Sequence, residues 1–128
     1  MNRPAAHLAT QPYWSDSATF PVFPKLSRDI DVDVVVIGAG IVGLTTAYQL
    51  TSSGRSVAVL ERARGASIDS GHTSAHLTLV TDVRLRDLVR SFGRDHAEAV
   101  WDAGLVAIAW IDDIVRAHEI DCDFEWVS

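Results

Sequence analysis

The sequence predicts an α/β fold built on a parallel sheet. Three features predict it: an apolar run at residues 32–37 (Val-Asp-Val-Val-Val-Ile), the pattern Gly38-x-Gly40-x-x-Gly43 directly after it, and a second apolar run at residues 56–60 that ends on Glu61. That order of parts is a Rossmann-like βαβ unit of the kind that binds FAD or NAD(P). It is expected here as the N-terminal part of such a domain.

Residues 1–30 hold all four prolines, Pro4, Pro12, Pro21 and Pro24, together with Tyr13, Trp14, Phe20 and Phe23. They show little periodicity, so they read as an irregular arm laid over the domain by its aromatic residues. The domain follows from residue 31, with the βαβ unit at 32–61. Gly38 permits the tight turn out of the first strand, Gly40 lets the backbone approach a pyrophosphate, and Gly43 allows close packing of helix on sheet. A helix is expected over residues 41–53, with Leu44, Ala47, Tyr48 and Leu50 near helical spacing and Gly54 as its stop. Its N-terminus offers unpaired N–H groups and the positive end of a dipole, which suit the phosphates. Residues 56–60 then form a short buried strand. Glu61 at its end, roughly 20 residues past the glycines, can accept hydrogen bonds from both hydroxyls of an adenosine ribose.

Residues 62–80 form a polar loop of small and hydroxyl-bearing residues at the C-terminal edge of the strands, where a ligand lies in such folds. Helices are expected over about 83–118. Leu85, Leu88, Val89 and Phe92 mark the first, which Gly93 ends. The second opens with Asp95 and Glu98 at capping-box spacing, and Trp101, Leu105, Ile108, Ile111 and Val115 form an apolar face opposite Asp102, Asp112 and Arg116. Both helices read as scaffold. At 120–127 Ile120, Cys122, Phe124 and Trp126 alternate with Asp121, Asp123 and Glu125, the pattern of a half-buried strand with Cys122 as a small core residue. A central strand apolar on both faces needs neighbours on both edges. The chain is therefore expected to be an N-terminal fragment of a longer protein.

Composition narrows the function. The formal charge is −6, from 11 basic and 17 acidic residues with no basic cluster, which argues against a nucleic-acid partner. One cysteine, Cys122, excludes an internal disulfide and offers no clustered metal ligands, so no metal site is expected. No stretch is long and apolar enough for a signal peptide or transmembrane span, and a cytoplasmic location is expected.

The βαβ unit alone does not separate FAD from NAD, because both carry adenosine diphosphate. An NAD-linked dehydrogenase would use the same pattern. The long hydroxyl-rich loop after Glu61 favours a cofactor that continues past the pyrophosphate. Residues 34–48 (VVVIGAGIVGLTTAY), 59–62 (VLER) and 71–78 (GHTSAHLT) further resemble the N-terminus of the D-amino-acid oxidase-like (DAO) family of FAD-dependent oxidoreductases. The likeness extends over about residues 13–127 and is strongest to the branch that often carries a C-terminal Rieske iron–sulfur domain.

The resemblance implies that Gly38, Gly40, Ile41 and Gly43 hold the FAD pyrophosphate, Glu61 the adenosine ribose, and Arg62 the adenine side. Thr73, Ser74 and Ala75 are implied to approach the pyrophosphate and flavin. Some members attach FAD through a histidine, but neither His72 nor His76 aligns with that position. They are expected as packed or hydrogen-bonded residues near the flavin. The implied reaction is oxidation of the C–N bond of an amine or amino acid, with substrate-binding residues outside this chain. No residue here is assigned as catalytic. A Rieske domain downstream is one implied electron acceptor, its cluster held by Cys and His pairs absent from these residues. A truncated fragment, inactive on its own, is the competing expectation.

Overall fold

The computed structural model describes residues 12–127. They form two compact units, one reaching to Ser74 and one starting at Ala75. The first eleven residues of the expected arm, Pro4 among them, and Ser128 lie outside the described residues. The first unit contains α1 (Tyr13–Ser17), β1 (Val34–Ile37), α2 (Ile41–Ser52), β2 (Val57–Leu60) and a 3-10 turn at Asp69–His72. The second contains α3 (Leu85–Phe92) and α4 (Arg94–Ala117).

β1 and β2 pair in parallel, with Val34 opposite Val57 and Ile37 opposite Leu60. Val and Ile dominate both, and their branched side chains suit a pleated surface. A reciprocal clamp closes the start of the pair. Asp33 Oδ2 accepts from the Ser56 N–H and hydroxyl, both at 2.8 Å, while Ser56 Oγ accepts from the Asp33 N–H at 2.9 Å. These bonds from Ser56 hold the Asp33 carboxyl below its ordinary value. At the other end the Gly38 N–H donates to the Leu60 carbonyl at 2.8 Å.

Gly38 turns the chain at φ +97°, a conformation that a side chain rarely adopts. α2 starts three residues later and returns antiparallel to β1. Close approach is possible because Gly43 has no Cβ. One placed there would collide with the Gly38 carbonyl and meet Val36 Cγ1 at 3.4 Å. α2 ends in a Schellman motif, with the Arg55 N–H on the Leu50 carbonyl at 3.1 Å, the Gly54 N–H on the Thr51 carbonyl at 2.9 Å, and Gly54 at φ +85°. Val34 and Val36 are half-buried. Val35 and Ile37, on the other face of the sheet, are 51% and 86% exposed.

The arm expected to be irregular contains the short helix α1. Pro12 stands just before it, where a missing N–H costs nothing, and its carbonyl accepts from the Asp16 N–H at 3.3 Å. The Tyr13 and Trp14 rings meet edge to face at 5.1 Å. Residues 18–33 carry neither helix nor strand.

In the second unit Gly93, at φ +85°, ends α3 and directly precedes α4. Its N–H bonds back to the Val89 carbonyl, and its own carbonyl accepts from Ala97 N–H at 3.2 Å. Since Gly93 occupies the N-cap position, the expected Asp95–Glu98 capping box does not form. Asp95 lies inside the first turn, and Glu98 instead faces Arg94 at 3.6 Å. The inward face of α4 runs through Ala97, Trp101, Gly104, Ile108, Ile111 and Val115. Leu105, expected on it, is 43% exposed. Gly104 is the inward residue at that level, because Leu79 lies so close that a Cβ on residue 104 would stand 3.2 Å from the Leu79 Cβ.

Asp112 also departs from expectation. Its carboxylate accepts two bonds from the Arg116 guanidinium, at 2.8 and 3.0 Å, and one from the Trp126 indole N–H at 2.9 Å. Arg116 first, then Trp126, hold its carboxyl below the ordinary range. Residues 120–127 form no strand. Glu119 and Asp123 take positive φ values of 50° and 52°, which break the extended run. Among the described residues no strand pairs with it, and a strand is defined by its partner.

Gly43 gives the first test. Gly43→Ala forces α2 away from the β1 turn, and the protein is expected to lose about 1–3 kcal/mol of stability, read as a lower urea midpoint.

Candidate functional site

The Gly38–Gly40 turn is the centre of the site, and its geometry follows from the peptide groups of Ala39. Ala39 is buried. Its N–H donates to Glu61 Oε2 at 2.9 Å, and its carbonyl accepts from the Ala66 N–H at 2.8 Å. The other Glu61 oxygen, Oε1, accepts from the Ala63 N–H at 2.8 Å. One carboxylate thus joins the turn after β1 to the chain leaving β2. These backbone bonds, that of Ala39 foremost, hold the Glu61 carboxyl below its ordinary value, and the Arg62 charge adds a smaller push the same way.

The start of α2 lies beside this carboxylate. Gly40 is its N-cap residue and makes no side-chain cap. The Ile41 N–H is met by Ser70 Oγ at 2.9 Å, from the loop after β2. Val42 and Gly43, next in the first turn, have no intrahelical acceptor for their N–H groups. A Cβ on Gly40 would stand 3.4 Å from Ser70 Oγ, so the glycine and the serine border the same space. That space is a cavity of about 190 Å³ lined by Ala39, Gly40, Glu61, Arg64 and Ser70, among others. A helix start, a hydroxyl and a fixed carboxylate converge on it. Such a set can hold a phosphate through N–H groups and a sugar hydroxyl through carboxylate oxygens.

The loop from Arg62 to Ser74 bends back over the turn. Ala66 takes φ +55°, uncommon for a residue with a side chain, and an added Cβ on buried Gly71 would collide with the Ala66 carbonyl. His72 Nδ1 lies 2.6 Å from the Ile68 carbonyl oxygen, so that nitrogen carries the hydrogen. The Thr73 carbonyl accepts from the Trp14 indole N–H at 3.2 Å.

Of the residues singled out from sequence, Gly38, Gly40, Ile41, Gly43 and Glu61 meet around the turn. Arg62 follows Glu61 and is exposed. Thr73 and Ser74 end the first unit, while Ala75, at φ +63°, and His76 open the second. Sequence reasoning missed Ala39, Ala63, Ala66 and Ser70. The signal available for Ser70 was a hydroxyl within a short polar stretch, but its bond to Ile41 depends on the loop returning across 29 positions. Among the described residues no group of three or more His, Cys, Asp or Glu side chains is placed to hold a metal ion. No helix among them is long and apolar enough to cross a membrane.

A sequence profile of the FAD dependent oxidoreductase (DAO) family matches residues 33–128, three quarters of the chain. The chain belongs to this family. Membership selects FAD over NAD as the cofactor class, and it implies the Rossmann-like fold of which the βαβ unit is a part. Among curated relatives, the chain is 39% identical over 127 residues, 99% of its length, to a Bacillus subtilis protein named as a Rieske 2Fe-2S iron-sulfur protein, YhfW. It is 33% identical over 103 residues, 80% of its length, to a Haemophilus influenzae protein named as an oxidoreductase, OrdL. It is 29% identical over 116 residues, 90% of its length, to the gamma-glutamylputrescine oxidoreductase of Escherichia coli. The matched parts are 25%, 24% and 27% of those relatives, so the chain spans about a quarter of their length. No solved structure matches the chain significantly.

The Glu61 carboxyl is lowered on folding, so its contribution to stability is complete above the unfolded value of about 4.3 and is lost as the pH falls through the lower folded value. Glu61→Gln removes that part. Between about pH 6 and pH 3 the urea midpoint of the unmodified protein is expected to fall further than that of Glu61→Gln.

Proposed function

We propose that residues 31–128 belong to the FAD-binding domain of an oxidoreductase that oxidises the C–N bond of an amine or amino acid, and that the glycine turn, the start of α2 and Glu61 form the adenosine-diphosphate end of its site. The observation that carries the cofactor half is the Glu61 carboxylate, held by the Ala39 and Ala63 N–H groups beside the open start of α2. Each carboxylate oxygen has a second lone pair, so both can still accept a ribose hydroxyl. Gly40, Ile41 and Gly43 receive the pyrophosphate on the helix N-terminus, with Gly38 shaping the turn. Ser70 already accepts the Ile41 N–H and has its own hydroxyl hydrogen to turn toward a phosphate oxygen. Arg62 lies on the adenine side. Thr73, Ser74 and Ala75 carry the chain toward the flavin.

Bound FAD would supply the redox chemistry, accepting a hydride equivalent from a carbon that bears nitrogen and leaving an imine for water to hydrolyse. This chain contributes binding and orientation. None of its residues is assigned to the reacting atoms, and taken alone it supplies one end of the cofactor site. The choice of amine rests on the likeness to gamma-glutamylputrescine oxidoreductase. The likeness to a protein named for a Rieske cluster supports an iron–sulfur domain elsewhere in the full-length protein as the electron acceptor. With Cys122 as its single cysteine, this chain would not hold that cluster.

Purified full-length protein is expected to be yellow, absorbing near about 450 nm, and to release ammonia from a primary amine or amino acid. Gly40→Val, which drives a branched side chain into the phosphate path, is expected to lower FAD retention at least about tenfold. Colourless protein refutes the cofactor half of the reading. A flavoprotein that turns over alcohols but no amine refutes the substrate half.

A further inference from the structure

The N-terminal arm lies outside the family match, which begins at residue 33. Yet it runs antiparallel along the loop that covers the glycine turn. Trp14 donates its indole N–H to the Thr73 carbonyl at 3.2 Å, at one end of the loop. α1 packs along the 3-10 turn at Asp69–His72. At the other end Ala18, Thr19 and Phe20 face Arg64 to Ser67 across a cavity of about 290 Å³. The likeness to the Bacillus subtilis relative takes in the arm as well, since it covers 99% of the chain.

The loop has a second side. Inward, it meets the glycine turn through the Ala66 N–H on the Ala39 carbonyl and through Ser70 Oγ on the Ile41 N–H. It is thus a layer between the arm and the turn. Within it the Ser67 N–H bonds to the Arg64 carbonyl at 3.3 Å, the Gly71 N–H to the Ile68 carbonyl at 3.2 Å, and His72 Nδ1 meets the same Ile68 carbonyl at 2.6 Å. Ala66 sits in a left-handed conformation that persists only where surroundings over-determine it. A strained residue in a loop tied to the arm on one face and to the glycine turn on the other describes a segment that depends on being held from both sides.

We propose that residues 12–20 are a strap that holds the 64–73 loop against the glycine turn, with Trp14 as the positioning residue for Ser70 and Thr73. The consequence for FAD rests on the function proposed above, whereas the holding of the loop does not. Trp14 is not among the residues assigned to FAD above. It acts through the Thr73 carbonyl and the 3-10 turn, keeping the Ser70 hydroxyl on the start of α2.

Amide hydrogen exchange on the full-length protein stripped of flavin tests the holding directly. Trp14→Phe keeps an aromatic ring and removes the N–H donor. Exchange within residues 64–73 is expected to rise about threefold or more, while β1, α2 and β2 keep their rates. Unchanged exchange in 64–73, or an equal rise through β1, α2 and β2, overturns the proposal. FAD retention gives the second readout, through a double-mutant cycle. Trp14→Phe is expected to weaken retention when Ser70 is present and to have little further effect on Ser70→Ala protein. Equal losses in both backgrounds overturn the positioning role. If the protein retains no flavin, the cofactor reading fails and hydrogen exchange alone decides the strap.

Discussion

The first unit depends on the two polar groups of one buried alanine. Ala39 has no side chain that could satisfy its peptide, and the residue is only 7% exposed. An orphaned buried donor or acceptor costs about 1–3 kcal/mol. Glu61 takes the N–H and Ala66 takes the carbonyl, so β1, β2 and the loop after β2 are linked at one point. Other requirements follow from that arrangement. Gly38 turns through positive φ so that the Ala39 N–H faces β2, and Gly43 has no Cβ so that α2 can pass over the turn.

The βαβ unit was legible because its determinants are local. Strand, glycine spacing, helix and acidic residue follow one another within thirty positions, and each leaves a mark in composition or period. Glu61 was legible as an acceptor. Its bonds to Ala39 and Ala63 were not, because a backbone N–H at one residue looks like that at any other. Ser70 and Ala66 were hidden for a related reason: their partners lie across the fold from a loop with no periodicity. The failures in the second unit have other causes. Alternation at 120–127 is a property of side chains, whereas a strand is a property of pairs. The helical wheel placed Leu105 inward and Asp112 outward by hydropathy. Packing against Leu79 brought Gly104 inward instead, and Arg116 with Trp126 gave the Asp112 carboxylate three donors.

The site also reflects the charge of the chain. With a formal charge of −6, it attracts no anion at long range. What it offers nearby is Arg64 on the cavity wall and, at short range, N–H groups at the first turn of α2 and a neutral hydroxyl. The neutral donors act only at hydrogen-bond distance, so their value depends on the loop that brings Ser70 into place. The exposed face of β1, at Val35 and Ile37, shows that the sheet is covered on one side within these residues.

Glu61 has one further consequence, which concerns how the site could change over time. A residue that only touches a ligand can drift when the ligand changes, and the fold is indifferent. Glu61 also fastens the turn on which the unit closes, through both of its oxygens. Recoding this position for a different nucleotide would loosen the scaffold before the new ligand offered any compensation. The residues free to diversify are those that line the cavity without holding it together, with Arg64 foremost.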